Sequence, residues 1–306
     1  MNTLIDRLQR KLGLGSLLDR LEERLSWSEL NSLLLELFRR RAIQLSPAQV
    51  LQQYTGNRFV APAGVDTLRL RRTELAWLER ARERGFRPLT LSPLAPLGAC
   101  SAVGEVDQNN VVSAMRGTEV ISDATNVLAL QIAQDRKAAP DKHARFHYAA
   151  GHRHVRGQAF DHPAFTAHFA VFCLASGGRD PGNYAFEREQ LEQHLRLILD
   201  LLLRHFERHE LFLRFYLKRG GRAFRDALEG YPGGVWQQLP VEWQEDPEHA
   251  YYDLLQFKVF LRRDDQAIDL ADGGPVDWTR RLLSDRKERL FISGIGLELV
   301  HKLENP

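Results

Sequence analysis

The sequence is poor in several features that mark large classes of protein. It contains only two cysteines, Cys100 and Cys173, among 306 residues, so it can build neither a disulfide framework nor a cysteine-rich metal site. We expect two reduced thiols, as is usual in the cytosol. The 42 Lys and Arg residues nearly balance the 40 Asp and Glu residues, which excludes a surface that is basic throughout and grips a polyanion.

Long apolar runs and targeting segments are missing as well. The most apolar stretch, 197–203, is interrupted by Asp200 and falls short of the roughly 18 residues that a membrane helix requires. The first 25 residues carry charges at short intervals and lack the apolar centre of a signal peptide. We therefore expect a cytoplasmic protein with no membrane segment.

Four common catalytic motifs are also absent. The sequence has no Gly-x-x-x-x-Gly-Lys loop, no Gly-x-Gly-x-x-Gly after a strand, no His-Glu-x-x-His and no Gly-x-Ser-x-Gly. These absences argue against P-loop NTPases, simple dehydrogenases, zinc proteases and α/β-hydrolases.

The pattern of apolar residues predicts two domains. Residues 1–60 have leucines at helical spacing and a Ser46-Pro47 helix start, which predicts an N-terminal helical region. In residues 61–306 helices and strands mix without regular alternation, which predicts an α+β core with a largely antiparallel sheet flanked by helices. The predicted helices span 73–84, 124–137 and 187–209 with a last one from about 296, and the predicted strands span 87–93, 144–152, 164–174, 211–217, 256–262, 268–271 and 290–292.

Histidine and arginine concentrate in one segment. Six of the 11 histidines fall between His143 and His168, close to Arg153 and Arg156. Neutral imidazole is a common metal ligand, but no acidic or cysteine partner lies at tight spacing, so we expect no metal. Guanidinium groups on a hairpin suit phosphate or carboxylate recognition. The alternative is a solvated hairpin loop with no ligand. Further along the chain, a glycine-rich turn is predicted at 176–183.

A second group of polar residues lies where a strand is predicted to meet a helix. It contains Arg116, Glu119, Asp123 and Thr125. Asp123 and Thr125 either cap the following helix or offer a carboxylate and a hydroxyl to a ligand ammonium group, and the sequence leaves both interpretations open.

The order of these features resembles the catalytic core of class II aminoacyl-tRNA synthetases over about residues 68–304. The branch that it resembles contains histidyl-tRNA synthetase and the regulatory subunit of ATP phosphoribosyltransferase. Residues 85–93, Gly-Phe-Arg-Pro-Leu-Thr-Leu-Ser-Pro, are similar to motif 1, which implies a homodimer with Pro93 at its interface. Asp123-Ala124-Thr125 is similar to the acidic-x-Thr element that holds the substrate amino group.

The resemblance continues in the second half of the chain. Residues 146–153, Phe-His-Tyr-Ala-Ala-Gly-His-Arg, are similar to motif 2, whose arginine contacts the ATP α-phosphate and the substrate carboxylate. Arg153 matches that arginine and Arg156 is the second choice. Tyr251-Tyr252, a strand and Gly273-Gly274 follow the order of a histidine pocket, and Gly294-Ile295-Gly296-Leu297-Glu298 is similar to motif 3. The ligand-binding residues expected from all these patterns are Arg116, Glu119, Asp123, Thr125, Arg153, Arg156, His168, Tyr251, Tyr252, Gly273, Gly274 and Glu298.

Three departures from the family shape the expected function. Leu299 follows Glu298 where motif 3 has an adenine-stacking arginine, residues 246–250 lack the arginine that precedes the tyrosine pair, and the chain ends at Pro306 without an anticodon-binding domain. We expect a non-translating paralogue that binds an amino acid or related small molecule, acts as a regulatory or binding module and does not bind tRNA.

Two other functions stay open from the sequence. The first is an ATP-dependent ligase that uses ATP and Mg²⁺ to form an acyl-adenylate for an acceptor other than tRNA. The second is a dimeric scaffold that reaches a protein partner through its N-terminal helices.

Overall fold

The computed structural model describes residues 3–158, 166–231, 233–248, 251–263 and 266–304. Within them the chain forms two compact units, one of Met1–Ala61 with Ser113–Thr118 and one of Pro62–Val112 with Glu119–Pro306. No helix in the described part is long and apolar enough to cross a membrane.

The first unit is built from four helices: α1 (Thr3–Leu12), α2 (Leu17–Arg24), α3 (Trp27–Ile43) and α4 (Pro47–Gly56). These helices lie within the predicted N-terminal helical region, residues 1–60. Both α3 and α4 begin with a capping box, in which the hydroxyls of Ser26 and Ser46 accept from backbone N–H groups three residues later. Pro47 occupies the first turn of α4, where its missing N–H costs no hydrogen bond. A short strand, β3 (Ser113–Ala114), completes the elements of this unit.

The second unit is organised around an eight-stranded sheet. Its helices are α5 (Thr67–Glu83), α6 (Ala124–Ala138), α7 (Ala185–Leu202), α8 (Arg222–Glu229), α9 (Trp278–Leu283) and α10 (Leu297–Glu304). Its strands are β1 (Arg87–Pro88), β5 (Phe146–Val155), β6 (His168–Arg179), β7 (Leu211–Leu217), β8 (Val241–Glu245), β9 (Leu255–Arg263), β10 (Gln266–Val276) and β11 (Glu288–Ile295), with the short β2 (Leu94–Pro96) and β4 (Thr118–Val120) outside the large sheet.

The large sheet is mainly antiparallel, as predicted. Its order is β1-β5-β6-β11-β10-β9-β7-β8, and only the β1–β5 and β7–β8 pairs at its two ends are parallel. The predicted α+β fold is therefore confirmed. Helices α5, α7 and α10 contribute to the hydrophobic cluster on one face, and α6 and α9 contribute to the cluster on the other face.

Several predicted elements have different bounds. Strand β1 ends at Pro88 and does not reach residue 93, while β10 extends well beyond the predicted 268–271. The predicted helix 187–209 ends at Leu202. Helix α5 starts at Thr67, six residues before the predicted start, because the Asp66 carboxylate accepts from the Arg69 N–H and caps it.

The predicted glycine-rich turn at 176–183 is wrong as far as Arg179, because β6 continues to that residue. A Cβ atom on Gly177 would lie 2.4 Å from Ile132 of α6, and one on Gly178 would lie 3.0 Å from Phe186 of α7. These glycines therefore let helices pack closely on the strand from its two faces, and they are not turn residues.

Candidate functional site

A cavity of about 550 Å³ lies in the second unit. Strands β6, β10 and β11 contribute to its walls, together with the segments that precede α6 and α10. Its size is that of a pocket for a small organic ligand. Five of the predicted ligand-binding residues line it, namely Asp123, Arg156, Tyr251, Tyr252 and Glu298, together with Cys100, Ser122, Lys218, Gln256, Asp269, Asp272 and Lys302.

Asp123 serves as the N-cap of α6 and also lines the cavity. Its Oδ1 accepts from the Thr125 backbone N–H at 2.9 Å and from the Thr125 hydroxyl at 2.7 Å. Its Oδ2 accepts from the Tyr251 hydroxyl at 2.9 Å. Burial opposes ionisation of this carboxyl, but nearby positive charge, including Arg156, and the bonds from Thr125 outweigh it and lower the pKa of Asp123. The carboxylate therefore caps the helix, which was one of the two interpretations left open by the sequence, and it stays charged in the cavity lining.

His154 is buried next to Asp123. Its Nε2 accepts from the Ala124 backbone N–H at 3.0 Å, and burial lowers the pKa of His154 to about 3. Cys173 Sγ lies 3.8 Å from the same Nε2, so Asp123, His154 and Cys173 form a group with donor atoms within 4.8 Å of one another. The Nε2 lone pair already accepts from Ala124, and the thiol pKa is raised well above its usual value by burial. This arrangement favours a hydrogen-bonded core over a metal site.

The tyrosine pair divides its hydroxyl groups between two carboxylates. Tyr251 donates to Asp123, whereas Tyr252 donates to Asp272 Oδ2 at 3.0 Å. The two rings meet edge to face with centroids 4.8 Å apart. Burial raises the pKa of both tyrosines well above the usual value, so both hydroxyls remain donors.

A β-bulge in β10 sets the positions of the two aspartates in this strand. Asp269 pairs with Phe260 of β9, and Ala271 pairs with the next residue, Val259, so that Leu270 is the extra residue. Asp272 then pairs with Lys258. Because the bulge shifts the alternation by one position, Asp269 and Asp272 lie on the same face of the sheet.

The two aspartates have different partners. Asp269 Oδ2 accepts from Lys258 Nζ at 2.6 Å, while Asp272 Oδ2 accepts from Tyr252 and from Gln256 Nε2, the latter at 3.1 Å. Burial, reinforced by the neighbouring charge of Asp272, raises the pKa of Asp269 to about 6. Burial also raises the pKa of Asp272, against the opposing effect of Lys258.

Arg153 is held by a buried carboxylate. Its position is in β5, not in the hairpin loop that the sequence predicted, because that strand extends to Val155. Its Nη2 lies 2.8 Å from Glu298 Oε2, and its Nη1 lies 2.9 Å from His168 Nδ1. The other oxygen of Glu298 lies 3.0 Å from Lys302 Nζ. Glu298 is 1% exposed, and although burial opposes ionisation, the bonds and charges of Lys302 and Arg153 lower its pKa.

Arg156, the second choice for the motif 2 arginine, lines the cavity, whereas Arg153 and His168 are not among the residues that line it. The Arg156 Nε donates to the Ser122 carbonyl oxygen at 3.2 Å, and its guanidinium lies 5.2 Å from the centroid of the Phe169 ring. These contacts fix the guanidinium group of Arg156 at the cavity lining.

The remaining predicted ligand-binding residues lie away from the cavity lining. Arg116 belongs to the first unit, where its backbone N–H donates to Asn31 Oδ1 at 3.1 Å. Glu119 is buried and accepts from the backbone N–H groups of Gly98 and Cys100, each at 2.9 Å. Thr125 holds Asp123, as described above.

Gly273 and Gly274 belong to β10 and permit close packing of the sheet. A Cβ atom would lie 2.5 Å from the Ile292 carbonyl oxygen at Gly273, and 2.3 Å from the Leu255 carbonyl oxygen at Gly274. Pro93 lies in an exposed bend, and its carbonyl oxygen accepts from the Ile121 N–H at 3.2 Å.

Sequence reasoning missed several residues that line the cavity. Lys218 follows β7 and pairs with Asp246 at 2.6 Å. Gln256 and Asp272 become neighbours only through the pairing of β9 with β10. The one available signal was Asp272 itself, which stands directly before the glycine pair.

No protein-family model matches the chain, and no curated protein matches it. Several solved structures do match the chain. The chain is similar to apo S. aureus histidyl-tRNA synthetase, with a TM-score of 0.58 and 12% identity over 80% of this chain and 69% of the other. It is equally similar to an ATP phosphoribosyltransferase regulatory subunit/histidyl-tRNA synthetase from Bacillus halodurans, with a TM-score of 0.58 and 12% identity over 81% and 83%.

The fold is that of a class II synthetase catalytic core. A putative threonyl-tRNA synthetase from Aeropyrum pernix, with a TM-score of 0.60 and 11% identity over 76% of this chain and 59% of the other, has the same fold. The resemblance inferred from the motif order is thus confirmed. At 11–12% identity these likenesses concern the fold alone.

Proposed function

We propose that this class II synthetase-like chain binds a free amino acid in its cavity and acts as a binding or regulatory module that does not activate the amino acid for tRNA. The observation that carries the proposal is the presence of Asp123 and Arg156 in the lining of one cavity. A carboxylate and a guanidinium complement the ammonium and carboxylate groups of an amino acid, and both can form charge-assisted hydrogen bonds.

The surroundings of Asp123 support the ammonium position. Both of its oxygens are oriented by neutral donors, Thr125 and Tyr251, so the carboxylate is held in place while its charge remains available. A ligand ammonium group would supply the compensating charge. Binding sites depend on such prearranged groups, because little side-chain ordering then has to accompany binding.

Two features favour binding over adenylation. The Arg153 guanidinium is already bridged to the buried Glu298, so a nucleotide phosphate would compete with an internal carboxylate for it. Leu299 lines the cavity at the position where the motif 3 resemblance calls for an adenine-stacking arginine. A cation–π contact of that kind contributes about 0.5–2 kcal/mol. Adenylation requires preorganised positive charge around the phosphate. The pairing of Arg153 with Glu298 and the leucine at position 299 both reduce the positive charge that is available to a nucleotide.

A thermal-shift and calorimetry screen of the twenty amino acids, with and without ATP and Mg²⁺, tests the proposal. We expect stabilisation by at least one amino acid without ATP, about 2.7 kcal/mol at a ligand concentration of 100 times Kd. Asp123→Asn should weaken binding at least tenfold. Asp226→Asn, which changes an exposed carboxylate on α8, is the matched control and should leave binding unchanged.

The outcomes separate the alternatives. Amino-acid-dependent release of pyrophosphate from ATP would replace the proposal with the ligase function. If no amino acid changes the melting temperature or gives binding heat, the amino-acid function is wrong and a scaffold role takes its place.

A further inference from the structure

The cavity contains carboxylates in two kinds of setting. Asp269 and Glu298 are each paired with a lysine, at 2.6 Å and 3.0 Å respectively. Asp123 and Asp272 accept instead from the neutral hydroxyls of the tyrosine pair. Among the residues that the structure describes, no Lys, Arg or His nitrogen lies within 4.0 Å of either carboxylate.

The tyrosine pair links these two carboxylates structurally. Adjacent residues, Tyr251 and Tyr252, donate to them at 2.9 Å and 3.0 Å, so a single dipeptide orients both. Asp272 is fixed further by Gln256, a donor that carries no charge. Both carboxylates are therefore oriented by neutral donors, and among the described residues neither forms an ion pair.

We propose that the ligand carries two basic groups: its α-amino group binds at Asp123, as the proposed function requires, and a cationic side chain binds at Asp272. The ligand class is thus a basic α-amino acid, of the type of lysine or ornithine. A neutral apolar side chain in the same position would remove water from a carboxylate and supply no charge in return, which is unfavourable.

The bulge in β10 is what makes this second position available. In an unbroken strand Asp269 and Asp272 would lie on opposite faces of the sheet, because they are three residues apart. The extra residue at Leu270 brings them to one face, where Lys258 forms its ion pair with Asp269 and Asp272 accepts from neutral donors. Bulges are common beside functional sites because they redirect side chains in this way.

Isothermal titration with amino acids that differ in side-chain charge tests this inference on the wild-type protein. We expect lysine or ornithine to bind at least tenfold more tightly than norleucine, whose uncharged side chain matches ornithine in length, and than Nε-acetyllysine, whose acetyl group removes the side-chain charge of lysine. If norleucine binds as tightly as lysine, the inference is overturned while the proposed amino-acid function stands. If none of the four ligands binds, the proposed function fails and the inference fails with it.

Variants assign the selectivity to Asp272. Asp272→Asn keeps the shape and an oxygen acceptor for Tyr252 and removes the charge, so the lysine-to-norleucine ratio should fall towards one. Asp123→Asn should instead weaken both ligands by a similar factor, and the control Asp226→Asn should change neither. A wild-type ratio in Asp272→Asn would overturn the assignment. If this variant does not fold, the titrations on the wild-type protein still decide the inference.

Discussion

Acidification should destabilise this fold, and His154 gives the size of the effect. The side chain is 1% exposed and accepts from the first N–H group of α6. Protonation would place a positive charge in the interior at the positive end of the helix dipole. Burial lowers its pKa from 6.5 to about 3, so the unfolded chain binds this proton more readily than the folded one.

The sign and magnitude follow from the two pKa values. Between pH 6.5 and pH 3 the unfolded state holds more protons, so stability decreases as the pH falls. The contribution of His154 is fully present above pH 6.5. At pH 5 the loss from this residue alone is about 2 kcal/mol, because one pKa unit corresponds to about 1.4 kcal/mol.

Urea unfolding at pH 7.5 and pH 5.0, without ligand, measures this loss. Other buried histidines, such as His194, add to this loss through their lowered pKa values, whereas Asp269, whose pKa is raised to about 6, opposes it. The contribution of His154 is therefore obtained by comparison with a variant. His154→Gln keeps an acceptor for the Ala124 N–H without a titrating group, and its loss should be smaller by about 2 kcal/mol. His143→Gln, which removes an exposed histidine, should lose as much as wild type. Equal losses in wild type and His154→Gln would refute the reasoning.

Three further predictions concern packing, buried polar groups and assembly. Gly177→Ala should cost about 1–3 kcal/mol in urea unfolding, since the new Cβ would lie 2.4 Å from Ile132; unchanged stability would show that α6 can move away. Ser293→Ala removes the hydroxyl that lies 2.8 Å from His194 Nδ1 in the core and should cost about 1–3 kcal/mol by the same measurement, whereas a neutral result would mean that water replaces the hydroxyl. The resemblance to motif 1 predicts a dimer with Pro93 at the interface, and a monomer in sedimentation at micromolar concentration would contradict it.

Elements with a strong local signal could be predicted closely. Strand β7 has the predicted bounds, Leu211–Leu217, and α6 extends only one residue beyond the predicted 124–137. Both have unambiguous boundaries in the sequence, an apolar run in one case and a capping aspartate in the other. Where a glycine lies inside a strand, as Gly177 does, the local sequence pattern predicts a turn. The pattern contains no information about the helix that packs on that residue.

The candidate site was predictable in part, for a different physical reason. Asp123 and the tyrosine pair could be found by motif order, although 128 positions separate Asp123 from Tyr251. The role of Asp272 in the lining could not be predicted in this way. The face of the sheet on which Asp272 lies depends on the bulge in β10, and the sequence of that strand does not indicate a bulge. Likewise, the pairing of Arg153 with Glu298 depends on the packing of α10 beside β6, which no spacing in the sequence specifies.

The distribution of charge in the cavity indicates which kind of ligand the cavity can bind. Of the cations that line it, Lys218 and Lys302 already contact the carboxylates of Asp246 and Glu298. Among the residues that the structure describes, the hydrogen-bond donors to two lining carboxylates, Asp123 and Asp272, are neutral. Apart from Arg156, the lining cations in the described part of the chain are already in ion pairs, which a polyphosphate would have to break, and breaking a buried pair is costly. A ligand with two ammonium groups would break none and would compensate both carboxylates. We therefore propose that this cavity prefers a small basic amino acid to a polyphosphate.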